Sequence, residues 1–248
     1  MRCSDGRLYV VKFRNNPQSV RVLANEFLVT QLAERIGLPV APVAVVEVGG
    51  WLVEHSPEMT IQLVGKTIPC EPGLSFGSQY CVPPCEGQSF DWLPQTQLDR
   101  VRNLGAFAGA LALDKWTCNA DSRQAVFWRK ARERKYTATF IDHGYCFNAG
   151  EWTFPDSPLR GTYGWNDVYA DVRGWESFEP WVTRIEELDE AALMSIGEAL
   201  PPEWYGGDWD ELEKLLATLA KRRSRVRELI DAFRGSARNP FPNWKNAD

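Results

Sequence analysis

The run LGAFAGALAL, residues 104–113, is ten residues long and carries no charged or hydrogen-bonding side chain. It falls well short of the ~20 apolar residues an α-helix needs to cross a bilayer, so it belongs inside a folded domain. From Gln97 to about Lys115 the spacing predicts a helix with Val101, Leu104, Phe107, Ala108 and Leu111 on one stripe. Directly behind it comes DKWTCNADSRQAVFWR, residues 114–129. Within its first eleven residues, two aspartates, an asparagine, an arginine and a glutamine thus stand where a buried helix hands over to a β-prone segment. Polar groups gathered at such a junction point to chemistry.

A chain of 248 residues suits one large domain or two lobes sharing a cleft. Its formal net charge of −5 argues against nucleic-acid binding by bulk electrostatics. No apolar stretch is long enough for a membrane span, and MRCSDGRLYVVKF lacks the pattern of a signal peptide. A cytoplasmic protein with no membrane partner is expected. The six cysteines are scattered, which suits free thiols. CVPPC (Cys81–Cys85) falls short of a zinc site, because no second cysteine pair exists and the histidines are only His55 and His143. The eleven tryptophans are read as filling a helical core.

Residues 7–14, RLYVVKFR, read as a strand after the turn SDG, with Lys12 on the face opposite Val11 and Phe13. Ser19 to Ile36 reads as a helix closed by Gly37 and Pro39, with Val20, Leu23, Ala24, Phe27 and Leu28 as its stripe. Glu26 lies beside Val22 and Val29 on this nearly all-apolar helix, and an unpaired buried carboxylate is costly, so it needs a partner. APVAVVEV (41–48) and WLVEHS (51–56), joined by GG, predict a β-hairpin. Residues 67–95 are rich in Gly, Pro, Ser and Cys without periodicity, and read as a linker or surface insertion. AVFWR (125–129) and KYTATFID (135–142) predict two strands joined by KARER. A last helix is expected near Asp210–Arg234, and KRRSRVR (221–227) within it reads as a solvated face, the alternative being a phosphate-contacting patch.

Three separated features gain meaning together. Lys12 on a strand with Glu26 on the next helix could neutralise nucleotide phosphates. Asp121, in the loop NADSRQ after a buried helix, could accept the proton of an attacking hydroxyl. Asp142, ending FIDHG after the predicted hairpin, could hold the metal ion that bridges phosphate oxygens. The antiparallel return of that hairpin would bring Asp142 beside the loop of Asp121. In this order and spacing the residues describe a phosphoryl-transfer site. Asp114 reads as a structural carboxylate that hydrogen-bonds the loop backbone, Arg123 as the salt-bridge partner of a nearby carboxylate or a phosphate ligand, and His143 as a packing or hydrogen-bonding residue.

The joint pattern YVVKF…NEF…GLPV, DKWTCNADSRQ and FIDHG resembles the HipA-like kinases. The resemblance implies an α+β, two-lobed protein-kinase-like fold with a small, shortened β-rich N-terminal lobe (1–66), a linker or insertion (67–95) and a larger helical C-terminal lobe (96–248). It implies ATP and Mg²⁺ in the cleft, Lys12 as phosphate-binding lysine, Glu26 as its partner, Asp121 as catalytic base, Asp142 as metal ligand and Asn119 as the residue shaping the loop. The implied reaction moves the γ-phosphate to a hydroxyl, a protein serine or threonine being the expected acceptor. Toxin-type relatives work with a DNA-binding antitoxin, and no residue here shows such a partner.

Two departures stand out. The asparagine that related kinases place about five residues after the base is Val126 here, which leaves Gln124 as the substitute metal ligand and Asn148 as a more distant one. Only eleven residues precede Lys12, and CSDG is too short for a glycine-rich loop with a strand on either side. A glycine-rich segment encoded upstream of Met1, another way of covering nucleotide, or weak nucleotide binding would each account for this. The alternatives to a kinase are a pseudokinase or nucleotide-binding interaction module, and a metal-dependent hydrolase using Asp121 and Asp142.

Overall fold

Strand β1 (Tyr9–Lys12) lies antiparallel to β5 (Gly73–Gln79), whose other edge pairs with β2 (Val43–Val48). The sheet order is therefore β1-β5-β2. This computed structural model describes residues 1–15, 17–19 and 21–245. The central strand comes from the stretch expected to be linker. Its sequence, GLSFGSQ, hides the strand because Ser75, Phe76 and Gly77 are all buried, so no polar–apolar alternation is written into it.

The expected hairpin partner of β2 is not a strand. Gly50–Glu54 forms a short helix, α2, with Trp51 stacked on His55 at 4.5 Å. Stacking at i and i+4 is helical spacing, and β2 finds its partner in β5 instead. Strands β3 (Thr60–Leu63) and β4 (Lys66–Pro69) make a separate hairpin. At the N-terminus, CSDG forms a tighter device than expected. Arg2 bridges Leu8, the Gly6 N–H donates to Cys3 O at 2.9 Å and the Tyr9 N–H to Met1 O at 2.8 Å. Three residues thus fold back along the start of β1, and a minimal hairpin precedes Lys12.

Helix α1 (Arg21–Arg35) is buried nearly all round, Asn25 and Glu26 included. Val20, expected on its stripe, lies outside the described residues. One side of α1 meets β2 and β5, and another meets the C-terminal lobe. That lobe is built around α3 (Ala106–Thr117), every residue of which is buried. Val101, expected on the same helix, instead bridges Tyr136, and Gln95–Arg100 is a separate 3-10 turn. Beside α3 lies the antiparallel sheet β6 (Gly87–Phe90), β7 (Gln124–Lys130), β8 (Thr137–Ile141), paired in that order. The Phe140 N–H donates to Pro39 O at 2.8 Å, and Trp204 Nε1 to Leu74 O at 3.0 Å, so both sheets are tied across the lobes.

Helices α4 (Trp181–Glu187), α5 (Glu190–Glu198), α6 (Trp209–Arg222) and α7 (Val226–Arg234) complete the lobe. The single helix expected over 210–234 is broken by a 3-10 turn, Arg223–Arg225. This break turns Arg222 inward, where it is 5% exposed and bonds Asp156 and the carbonyls of Lys115 and Trp116. KRRSRVR is therefore not simply a solvated face. No described helix is long and apolar enough to cross a membrane.

Candidate active site

Strand alternation aims Lys12 at α1, one turn of which presents Glu26. The Lys12 ammonium bonds Glu26 Oε1 and, at 2.8 Å, Asp142 Oδ1. The other Glu26 oxygen accepts the His143 N–H at 2.9 Å. Three groups from β1, α1 and the exit of β8 therefore meet at one point. Burial works against the charge on Lys12, but the two carboxylates outweigh it and hold its pKa above the ordinary lysine value. For Asp142 burial is likewise outweighed, chiefly by the Lys12 ammonium, and its carboxyl is held below the usual range. Glu26 is fully enclosed, and burial raises its pKa against the pull of Lys12.

The backbone at this point is special. Asp142 has φ 59°, in the left-handed region that non-glycine residues seldom occupy. Gly144 follows, and a Cβ there would meet Val22 Cγ1 at 2.6 Å and Glu26 Oε1 at 3.1 Å. The glycine of FIDHG is required because α1 packs directly on it. His143 between them is 1% exposed, both ring nitrogens lack a hydrogen-bond partner among the described residues, and burial drives its pKa well below the ordinary value. It is a neutral, buried imidazole.

The loop after α3 is fastened from beneath. Cys118 turns the chain at φ 50°. Asn119 Nδ2 donates to Asp114 Oδ1 at 2.9 Å, and its Oδ1 accepts the Asp121 N–H at 3.0 Å. Arg123 takes the salt-bridge alternative. It grips Asp114 through Nε (2.9 Å) and Nη2 (2.6 Å), and its Nη1 donates to Ile141 O at 2.7 Å. Asp121 and Gln124 are exposed. Gln124 pairs in register with Ile141, next to Asp142, and the Asp121 carboxylate accepts the Ser122 N–H at 2.7 Å. Asn148 is engaged by Arg160 Nη1 at 2.9 Å.

Between the two sheets lies a cavity of about 510 Å³, a size suited to a small-molecule ligand. Val10, Ala41, Phe76, Val126, Phe140 and Ile141 give it apolar walls, and Lys12, Glu26 and Asp142 form its polar end. Neither Asp121 nor Gln124 lines it. Among the described residues no three His, Cys, Asp or Glu side chains gather into a metal cage. Mg²⁺ needs none, since one or two carboxylates suffice when phosphate oxygens and water complete its shell. The donor set fits a nucleotide: a cation for phosphates, a carboxylate beside it, and apolar walls for a base.

Residue-by-residue reading missed Asn25. Its side-chain amide donates to the carbonyls of Gly144 (2.8 Å), Cys146 (3.0 Å) and Ala149 (2.7 Å), and its oxygen accepts Trp152 Nε1 at 2.8 Å. The available signal was a second polar residue beside Glu26 in an apolar helix. Asn25 holds the segment after Asp142 against α1.

A family model described as HipA-like kinase matches residues 1–233. Solved structures share the architecture. The proinflammatory kinase CtkA of Helicobacter pylori is 15% identical, with 91% of this chain and 92% of that chain covered and a TM-score of 0.54. The Golgi casein kinase is 12% identical over 95% of this chain and 71% of that one, with a TM-score of 0.52. A structure of the Golgi casein kinase with Mn/ADP bound gives 12%, 95%, 70% and 0.50. At such identities the likeness speaks for the fold alone, a two-lobed kinase-like one. No curated protein matches the sequence.

Proposed function

The chain belongs to the HipA-like kinase family, and we propose that it binds ATP with Mg²⁺ in the cavity and transfers the γ-phosphoryl group to a protein serine or threonine hydroxyl. The observation that carries this reading is the Lys12 ammonium held between Glu26 and Asp142 at the polar end of a cavity with apolar walls. Mn/ADP bound in the Golgi casein kinase, a protein of the same fold, is consistent with it. The N-terminal lobe is taken to run through β5 to about Tyr80, and the C-terminal lobe to begin with β6.

In this reading Lys12 neutralises phosphate oxygens, and Glu26 keeps its stem from swinging into solvent. Asp142, assisted by Gln124, would hold Mg²⁺, which supplies charge neutralisation on the transferring group. Asp121 accepts the proton of the acceptor hydroxyl as its oxygen bonds to phosphorus and the bond to the β-phosphate oxygen breaks, releasing ADP. Asn119 and the Arg123–Asp114 pair fix the backbone from which Asp121 projects.

The test has two stages. Saturating ATP and Mg²⁺ at about 100 times Kd stabilise by about 2.7 kcal/mol, or roughly 5–10 °C in Tm for a chain of this size. Lys12→Ala removes that shift, and a shift that survives it overturns the assignment. Labelled ATP then reports transfer, which Asp121→Asn lowers by about 10²–10⁴-fold. The pseudokinase reading is favoured by Val126, which lines the cavity where a metal-binding asparagine is expected. Its signature is an ATP-induced shift with no transfer.

A further inference from the structure

Residues 155–162 run as a strap against the loop that carries Asp121. The Arg123 N–H donates to Thr162 O at 3.1 Å. Gly161, at φ 64°, packs where a Cβ would stand 2.6 Å from Asp114 Cβ and 3.2 Å from Asn119 Cβ. Arg160 reaches across to Asn148. The order of the strap is thus passed to the loop through backbone contacts.

Cations hold the strap. Arg222 and Arg225 both bond Asp156, and Arg238 Nη1 donates to Thr162 Oγ1 at 2.8 Å. The fourth cation differs in kind. Lys115, on the buried helix α3, is 4% exposed, and among the described residues its ammonium bonds carbonyls rather than a carboxylate. Its ammonium donates to Pro158 O at 2.8 Å and Arg160 O at 2.5 Å, and lies 5.0 Å from the centre of the Phe233 ring. Each carbonyl it uses belongs to the strap.

We propose that Lys115 is a positioning residue, a latch that closes the strap against the Asp121 loop and so orders the acceptor side of the cleft through a contact remote from the nucleotide cavity. The proposal rests on the reading of Asp121 as the base. The charged and titratable groups around Lys115 are Asp114 on its own helix, Cys118 at that helix's end, Asp156 on the strap, Arg238 from the C-terminal segment and Arg222 of α6, which donates to the Lys115 carbonyl. Helix α7 presents Phe233, and its Asp231 and Arg234 pair with each other. Burial dominates this balance and lowers the Lys115 pKa to about 8, from an ordinary value of 10.5.

Opening the strap returns the ammonium to water and its ordinary pKa, so opening takes up a proton at pH values between those two. The strap therefore closes more firmly as pH rises through that window, by up to about tenfold per pH unit. A side chain that only fills space gives no such profile.

Hydrogen exchange of the Arg123 amide, which donates to Thr162 O, and of the Arg160 amide, followed from pH 7 to pH 10 and corrected for base catalysis, reads the opening equilibrium. The expected result is an opening constant that falls with pH in the parent and is flat in Lys115→Met. The same variant lowers kcat/KM for the acceptor by about tenfold or more while leaving the ATP-induced Tm shift intact. A flat profile in the parent overturns the proposal, and so does a Lys115→Met variant with the parent's profile or with a lost ATP shift. Should Lys115→Met not fold, the parent's own profile decides, together with Asp156→Asn, which frees the strap's other anchor and is expected to raise the opening constant while keeping the pH slope. If the parent binds ATP but transfers no phosphate, the kinase reading falls, and the exchange profile still decides whether Lys115 is the latch.

Discussion

Arg123→Met tests how the loop of Asp121 is held. In the parent, both side chains of the Arg123–Asp114 pair are at most 1% exposed, and the guanidinium makes three hydrogen bonds of 2.6–2.9 Å. Methionine keeps much of the volume and removes all three bonds. Asp114 would then be a buried carboxylate with the Asn119 amide as its remaining side-chain donor, and Ile141 O would lose the guanidinium. Breaking one member of a buried pair costs about 3–5 kcal/mol, which for this size of chain lowers Tm by roughly 6–20 °C. The double variant Arg123→Met/Asp114→Leu removes both charges and is expected to lose less than the two single changes combined, with a coupling of about 1–3 kcal/mol or more. Urea and thermal melts of the four proteins measure this. A single-variant cost under about 1 kcal/mol, or strict additivity, refutes the claim that this pair is the loop's foundation.

Gly144→Ala would press a methyl group against Val22 and Glu26, costing about 1–3 kcal/mol and displacing Glu26, so the ATP-induced Tm shift should shrink in parallel. Asn25→Leu leaves three buried carbonyls and the Trp152 N–H without their partner, and urea melts should show a loss of at least about 3 kcal/mol. The Asp142 carboxyl, lowered by Lys12 against its burial, contributes stability above the ordinary value of 3.8 that is lost as pH falls through its folded value. Glu26, raised by burial, acts in the opposite sense. The readout is therefore the difference in urea midpoint between the parent and Asp142→Asn, which should hold steady down to about pH 5 and narrow from there to pH 3.

The legible parts of this chain are those where a local pattern forces a long-range consequence. A carboxylate on an apolar helix needs a cation, and strand alternation turns Lys12 toward it, so the Lys12–Glu26 contact could be anticipated from two short segments. The helix within 104–117 was visible because its apolar residues leave no polar face. β5 was invisible for the converse reason. Its small residues are covered on both sides, so neither period appears. KRRSRVR misled because composition counts charges, whereas the partners of Arg222 are backbone carbonyls and Asp156, brought to it by segments roughly 65–105 residues away in the chain. The strap carries no periodicity at all. Its order comes from cations that reach it from α3, α6 and the chain beyond α7.

Helix α1 and the strap divide the two sides of the cleft between them, and their anchors differ in strength. Asn25 and Glu26 are consecutive residues, about 100° apart around the helix, yet both grip the segment that follows Asp142. A swing of α1 that parted Lys12 from Glu26 would also strip Asn25 from three carbonyls and an indole N–H. At about 1–3 kcal/mol for each buried group left unpaired, that is comparable with the whole stability of a domain, about 5–15 kcal/mol. The Lys12–Glu26–Asp142 side, where the proposed function seats the nucleotide, is therefore set once, when the protein folds. The strap, by contrast, has exposed residues from Pro155 to Leu159 and is latched by a lysine whose pKa falls to about 8, so opening it asks far less. In the proposed reading, adjustment is therefore cheapest on the acceptor side, where the order of the Asp121 loop can change while the Lys12–Glu26–Asp142 cluster stays intact.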